Sequence, residues 1–419
     1  MGIFKIQKKI LVISNHNYFS SIWWFNNFEP RVSGCAIHIY NLLMLKNIVK
    51  IIFFNVVLIF FLILIFEFIF HQTGREFKKK YLKPYYGSNE FGRGTYPKNY
   101  FINDDILGFD IRPEVSPINF YSPNGILQIF SNEYGCFDLN TKYNNYIYLA
   151  GDSFAWGYDN YEKLFGTKLQ NKLNKDVAKC GVTNTGQEHQ FLKFQKFLNK
   201  NLISPKKIIV THYKNDLSDD AKFPKDIVLN GWLVKKPKNS DEKRKLKDKI
   251  RKKEQIHKKK LNNNLIYFLK NHHFSIYLIN NSFFVSALRE FKSKLQNKNK
   301  INVKISKNNN SINCNYENYN KNTCINKNKD AINKFISYSK KNNIDLIFIL
   351  YPPIDSLKNK NDIYMNLKRF LEKNTIRFVD LYTQILNSGI KIDKFYNRDG
   401  HFSEYGNNFL IKENINLFK

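Results

Sequence analysis

The feature that most constrains this chain is an apolar run, IIFFNVVLIFFLILIF, from Ile51 to Phe66, interrupted only by Asn55. Extended through Glu67 to Phe70, it supplies roughly the 20 residues that cross a bilayer at about 1.5 Å per residue. A helix on the surface of a soluble domain needs one apolar stripe, whereas this run places Ile, Phe, Val and Leu on every face. The run therefore predicts a single transmembrane helix at about 51–70. It is too long for a cleaved signal peptide, and no small-residue cleavage site follows it. Lys46 and Lys50 flank one end and Arg75, Lys78, Lys79 and Lys80 the other, so flanking charge does not set the orientation.

Upstream, Met44-Leu45-Lys46-Asn47 reads as a natural start, which would make residues 1–43 a fused extension. The stretch KKILVISNHNYF and the later EPRVSGCAIHIYNLL loosely resemble the first strand, loop and helix of two-domain glycosyltransferases, but no remainder of such an enzyme follows. The chain has 419 residues, room for one large or two modest domains. Its 43% hydrophobic and 16% aromatic content excludes a wholly disordered polypeptide. A net charge of +32 suggests nucleic acid at first sight. Its lysines, however, are spread along the whole length among Asn, Ile, Phe and Tyr, the residues of AT-rich codons. No helix-turn-helix, zinc or RNA-binding motif accompanies them, so no specific nucleic-acid partner is expected.

The five cysteines, Cys35, Cys136, Cys180, Cys314 and Cys324, show no metal-ligand spacing, and neither a metal nor an organic cofactor is expected. Cys314 and Cys324 bracket a short Asn-rich loop and form either a disulfide in an oxidising compartment or two free thiols. An odd total leaves at least one cysteine unpaired within the chain.

Residues 72–138 are rich in Gly, Pro, Tyr and Asn and predict an irregular but largely ordered lead-in. Beyond it, in 139–419, short apolar runs alternate with helical stretches. Tyr146–Ala150, Lys207–Thr211, Ile344–Leu350 and Ile376–Leu381 read as buried parallel strands, and Glu188–Leu202 and Lys329–Asn342 as crossover helices. This alternation predicts an α/β sandwich with a mostly parallel sheet that binds ligands at the carboxyl ends of its strands. An insertion interrupts the pattern at about 231–330. It holds a Lys-rich helical run from Lys243 to Lys260, a more apolar stretch from Asn262 to Glu290, and an Asn/Lys-rich loop from Asn297 to Asn328.

Three short segments carry candidate chemistry. The apolar strand Tyr146–Ala150 ends in Gly151-Asp152-Ser153, which sets a serine hydroxyl and N–H at a strand-to-helix turn. An Asp-Ser helix cap would look the same. Near the far end, Asp399-Gly400-His401 offers a histidine with a carboxylate close enough to fix its tautomer. After the strand at Ile208–Thr211, Asn215-Asp216 places a side-chain amide where an oxyanion donor would sit, although a plain Asn-Asp turn is equally compatible. His189, His212 and the pair His272-His273 read as structural or surface residues.

In this order and spacing the segments resemble the SGNH (GDSL-like) serine hydrolases over roughly Asp104 to Lys419. Asp105-Ile106-Leu107-Gly108-Phe109 and Ser131-Asn132-Glu133-Tyr134-Gly135 look like the lead-in of membrane-anchored members. The resemblance implies a flavodoxin-like three-layer α/β/α fold. It also implies that Ser153 is the nucleophile, His401 the base and then the acid, and Asp399 the residue that orients it. The oxyanion would be held by the Ser153 N–H, a glycine N–H and the Asn215 amide.

The glycine block, Val177 to Gly186, departs from the family pattern. The oxyanion glycine falls on Asn184, and either Asn184 or Gly186 would supply that donor. Asn is the non-glycine residue that best tolerates a left-handed backbone. The aspartate stands two rather than three residues before His401, as in branches acting on polysaccharide acyl groups.

The expected activity is hydrolysis of an ester-linked acyl group on an envelope glycan or lipid, outside the cytoplasm. A polysaccharide O-acyltransferase with the same triad, or a catalytically silent module that binds a glycan or a protein, are the rival readings.

Overall fold

The computed structural model describes residues 34–73, 96–263 apart from 123, scattered positions between 282 and 316, and 323–419. It divides into two units, Met1–Thr73 and Gly74–Lys419. In the first, one helix, Gly34–Thr73, runs for 40 residues. Its segment Met44–Ile69, 26 residues, is long and apolar enough to cross a membrane, and none of it is buried. The helix starts well before the expected span because no proline or glycine follows Gly34 to interrupt it. Residues 1–33 of the presumed extension lie outside the described residues.

The second unit opens with two antiparallel ladders. β1 (Phe101–Asp104) pairs with β2 (Gly108–Ile111), and β3 (Ile118–Ser122) with β4 (Gly125–Ile129). The sequence predicted an irregular lead-in here; strands of four or five residues between Gly, Pro and Asn turns are too short to declare a period. Tyr96, Tyr100, Phe101, Phe109, Phe120, Phe137 and Trp156 close an aromatic core beneath them.

The main sheet consists of β5 (Tyr146–Ala150), β6 (Asp176–Lys179), β7 (Lys207–His212), β10 (Asp345–Leu350) and β11 (Arg377–Asp380), with the hairpin β8 (Asp226–Leu229) and β9 (Trp232–Lys235) lying apart. Its order is β11-β10-β7-β5-β6, and every pair is parallel. Successive side chains on a strand face opposite sides. Tyr146, Tyr148, Ile208, Val210, Phe348 and Leu350 accordingly enter one core, with Phe194 of helix Gln187–Asn201 and Phe335 of helix Thr323–Asn342. Ile147, Leu149, Ile209, Ile347 and Ile349 enter the other, with Leu169 of helix Phe165–Leu173 and Leu410 of helix Glu404–Phe418. The result is the α/β sandwich expected from the alternation, with the three α/β/α layers that the resemblance implied.

Four of the five main strands were legible as apolar runs. The fifth, β6, was read as part of the glycine-bearing loop, since Asp176 and Lys179 bracket only two apolar residues. Helix Thr323–Asn342 also starts earlier than predicted, inside what was read as the Asn/Lys-rich loop. The Lys-rich run forms helix Ser240–Asn263, whose Leu246 and Ile250 pack on the β8–β9 hairpin while most of its lysines face outward. Most of 262–322 lies outside the described residues.

Two disulfides are present, Cys314–Cys324 and Cys136–Cys180. The second joins the end of the lead-in to the loop after β6 and had no signal in the spacing.

A buried ion pair also ties the lead-in to the sandwich. Lys193 Nζ lies 2.6 Å from Asp110 Oδ1 and donates to the carbonyls of Tyr134 and Gly135 at 3.0 Å each. Lys196 donates to the other Asp110 oxygen at 2.9 Å from the solvent side. Lys193→Met leaves two carbonyls without a donor and Asp110 Oδ1 with only the Ile111 N–H, at 2.8 Å, and is expected to cost about 3 kcal/mol. Adding Asp110→Leu should recover much of that loss, because an apolar pair removes a buried carboxylate left with Lys196 alone as its cation. Urea unfolding of the full chain in detergent measures both.

Candidate active site

The strand order places β5 and β7 side by side while the chain leaves them in opposite directions. Ligands of open α/β sheets bind at such a switch point, beyond the carboxyl ends of the strands. Ser153 follows β5 there and Asn215 follows β7. Between strand and serine, Gly151 takes φ +153°, and a Cβ on it would stand 1.8 Å from Thr211 Oγ1. Only glycine lets β5 turn this close to β7. Asp152 then caps the short helix Ser153–Trp156 by accepting the Phe154 N–H at 2.9 Å.

The Ser153 hydroxyl donates to Asp152 Oδ2 at 3.4 Å, and Asn215 Nδ2 donates to the same oxygen at 3.1 Å. Hydroxyl and amide thus converge on one point. The second Asn215 hydrogen goes to Asp219 Oδ2 at 3.0 Å.

His401 comes from the loop before the last helix. Its Nδ1 lies 3.1 Å from Asp399 Oδ2, and its backbone N–H reaches Asp399 Oδ1 at 3.1 Å. At a spacing of two residues one carboxylate thus lies beside the ring nitrogen and accepts the main-chain N–H. The imidazole is held between two rings. Tyr158 stacks on it at 4.1 Å and 17°, and Phe154, next to Ser153, lies at 5.3 Å.

A residue that sequence reasoning missed closes the group. Asn124, at the tip of the β3–β4 hairpin, donates to Asp399 Oδ2 at 2.9 Å and to the Tyr158 carbonyl at 3.0 Å. Asn124-Gly125 is a readable turn signal, but nothing local shows that the turn reaches the far end of the chain. Tyr158 was missed for the same reason, whereas Asp219, one turn after Asn215, was within reach of helix spacing.

Burial pulls the His401 pKa down, but the charge and hydrogen bond of Asp399, with a contribution from Asp152, outweigh it and leave the pKa above the ordinary histidine value. Burial likewise pushes Asp399 up, yet His401 and the Asn124 amide hold it below the usual carboxylate range. Asp152 is raised by burial, only partly offset by the Phe154 N–H, Asn215 and His401. The Phe154 ring against His401 brings the serine and histidine loops together.

The glycine block splits. Asn184 adopts the left-handed conformation expected of it, φ +60°. Gly186 is held against another helix, and a Cβ there would stand 2.2 Å from Asp220 Oδ1. The glycine beside the serine turn is Gly181, where a Cβ would meet the Trp156 nitrogen at 2.4 Å. Of the two donors considered for this block, Asn184 has the left-handed backbone and Gly186 lies close against Asp220.

His189 and His212 are buried, each with a hydrogen-bonded Nε2. His189 Nε2 contacts the Phe109 carbonyl at 2.9 Å and His212 Nε2 the Tyr316 hydroxyl at 2.6 Å. Burial lowers their pKa values to about 4 and about 3, so both are neutral near pH 7. His272 and His273 lie outside the described residues.

The layers, the placement of Gly-Asp-Ser and Asn-Asp after β5 and β7, and the loop position of Asp399 and His401 before the last helix agree with what the sequence resemblance implied. No family model matches the sequence, and no curated protein matches it. Solved structures do. A lipolytic protein of the G-D-S-L family from Desulfitobacterium hafniense DCB-2 matches at 10% identity and a TM-score of 0.33, covering 66% of this chain and 100% of that one. A G-D-S-L family member from Veillonella parvula DSM 2008 matches at 13% and 0.35, covering 65% and 97%. A lipase/acylhydrolase from Enterococcus faecalis matches at 12% and 0.29, covering 66% and 97%. These scores are too low to transfer any property, and the chemistry of this chain rests on its own residues.

Proposed function

We propose that this chain is a membrane-anchored serine hydrolase that cleaves an ester-linked acyl group. The observation that carries the reading is the His401–Asp399 pair packed against Phe154, the residue after Ser153, while Ser153 and Asn215 share Asp152 Oδ2. In this reading Ser153 Oγ attacks the acyl carbonyl as His401 Nε2 takes its proton. The tetrahedral adduct collapses, expelling the alcohol, which receives that proton. Water then gives a proton to His401 and attacks the acyl-enzyme, and the acid leaves as Ser153 is reprotonated. The Ser153 and Asn184 N–H groups and the Asn215 amide serve the oxyanion.

The anchor is the apolar helix. Two disulfides support an oxidising compartment, hence a catalytic unit outside the cytoplasm acting on an envelope glycan or lipid ester. A membrane-impermeant fluorophosphonate tests both parts, because it loses fluoride only to an activated serine. Labelling of Ser153 is expected in intact spheroplasts and in lysate alike. Labelling in lysate alone would put the site in the cytoplasm, and labelling in neither would make the chain a silent binding module.

A further inference from the structure

An oxyanion donor must present its hydrogen in a fixed direction before charge develops, since reorganisation during the reaction forfeits much of its effect. Asn215 has nothing to fix it from its carbonyl side: Oδ1 is buried and has no partner among the described residues. Its direction comes from Nδ2 alone. One hydrogen points to Asp152 Oδ2, the oxygen also engaged by the Ser153 hydroxyl, so this hydrogen lies on the nucleophile's side. The other goes to Asp219 Oδ2, at 3.0 Å.

Asp219 is well placed to hold that bond throughout a reaction. It sits one turn after Asn215 on the same helix, where its N–H already bonds the Asn215 carbonyl at 2.9 Å, so helix geometry sets the pair. Its side chain is nearly buried, and its other oxygen lies 2.5 Å from Lys225 Nζ. Two carboxylates facing the amide also forbid its flip, which would bring Oδ1 against negative charge. Lys225 offsets the Asp219 charge, which would otherwise oppose a developing oxyanion.

We propose that Asp219, backed by Lys225, is a positioning residue for the Asn215 amide: it keeps one N–H occupied so that the other is aimed at the oxyanion. When charge develops, the hydrogen resting on Asp152 passes to the substrate oxygen and the Asp219 bond stays. The inference rests on the serine-hydrolase reading above.

Steady-state hydrolysis of p-nitrophenyl acetate by the full chain in detergent tests it. Asp219→Leu should lower kcat about 10- to 100-fold with KM little changed, less than the loss expected from removing the donor itself. Asp219→Asn keeps an acceptor oxygen and should retain most of the turnover. In an Asn215→Ala background, Asp219→Leu should change kcat less than about twofold, because its target is gone. An equal loss in both backgrounds, or an inactive Asp219→Asn with a normal unfolding transition, would overturn the proposal. If Asp219→Leu fails to fold, the Asp219→Asn rescue and a drop in kcat for Lys225→Met carry the test. A wild-type chain that ignores fluorophosphonate defeats the underlying reading, whereas a labelled and active wild type with a flat Asp219 series defeats this inference alone.

Discussion

Ser153→Ala and His401→Ala each abolish turnover of small aryl esters and leave the fold intact. The expected loss is on the order of 10⁴- to 10⁶-fold in kcat, because nucleophile and base act as one unit; the double mutant is then scarcely worse than either single. Near-full ester turnover by Ser153→Ala would remove the nucleophile assignment. The same machinery sets a pH dependence. The base must be neutral to accept a proton, and the Asp399 carboxylate raises the His401 pKa despite its burial. Activity should therefore rise with pH through an acid limb lying above the ordinary histidine value of about 6.5. In Asp399→Asn the residual activity should show that limb moved downward, since the raising charge is gone. A pH profile of kcat/KM for the two proteins measures it.

Asn215→Ala is the second large effect, expected at roughly 10²–10³-fold in kcat, the usual result of losing one oxyanion donor. KM should move much less, because the contact matters mainly in the transition state. The structure adds a complication that separates this residue from a simple substrate ligand. Its amide rests on two carboxylates, Asp152 and Asp219, so truncation also leaves Asp152 with one donor fewer. A mutant impaired only in KM would recast Asn215 as a substrate ligand.

Where sequence reasoning succeeded, the information was local. A run such as Tyr146–Ala150 or Ile208–Val210 is apolar because both faces of a central parallel strand are covered, and that shows directly in residue type. Edge strand β6 carries a half-buried Asp176 and a buried Lys179 whose ammonium lies 2.8 Å from Asp138, so it left no such trace. Gly-Asp-Ser, Asn-Asp and Asp-Gly-His were visible because each must sit at a tight turn after or between elements. The left-handed backbone at Asn184 followed from the side chain's own tolerance for that conformation.

The sequence by itself thus determined the apolar span, the alternating sandwich and the three turns that bear the chemistry. Each is written in contiguous residues and obeys a local period or a local steric demand. Only the tertiary structure decided which distant groups meet at those turns. Asn124 reaches Asp399 because the β3–β4 hairpin folds over the loop before the last helix, and Tyr158 covers His401 by the same closure. Cys136 finds Cys180 because the lead-in docks beside β6, and Gly186 is spent on packing against Asp220 while Gly181 abuts the serine turn. Such pairings depend on how separate hydrophobic faces stack, a property of the whole chain that no short stretch of residues encodes.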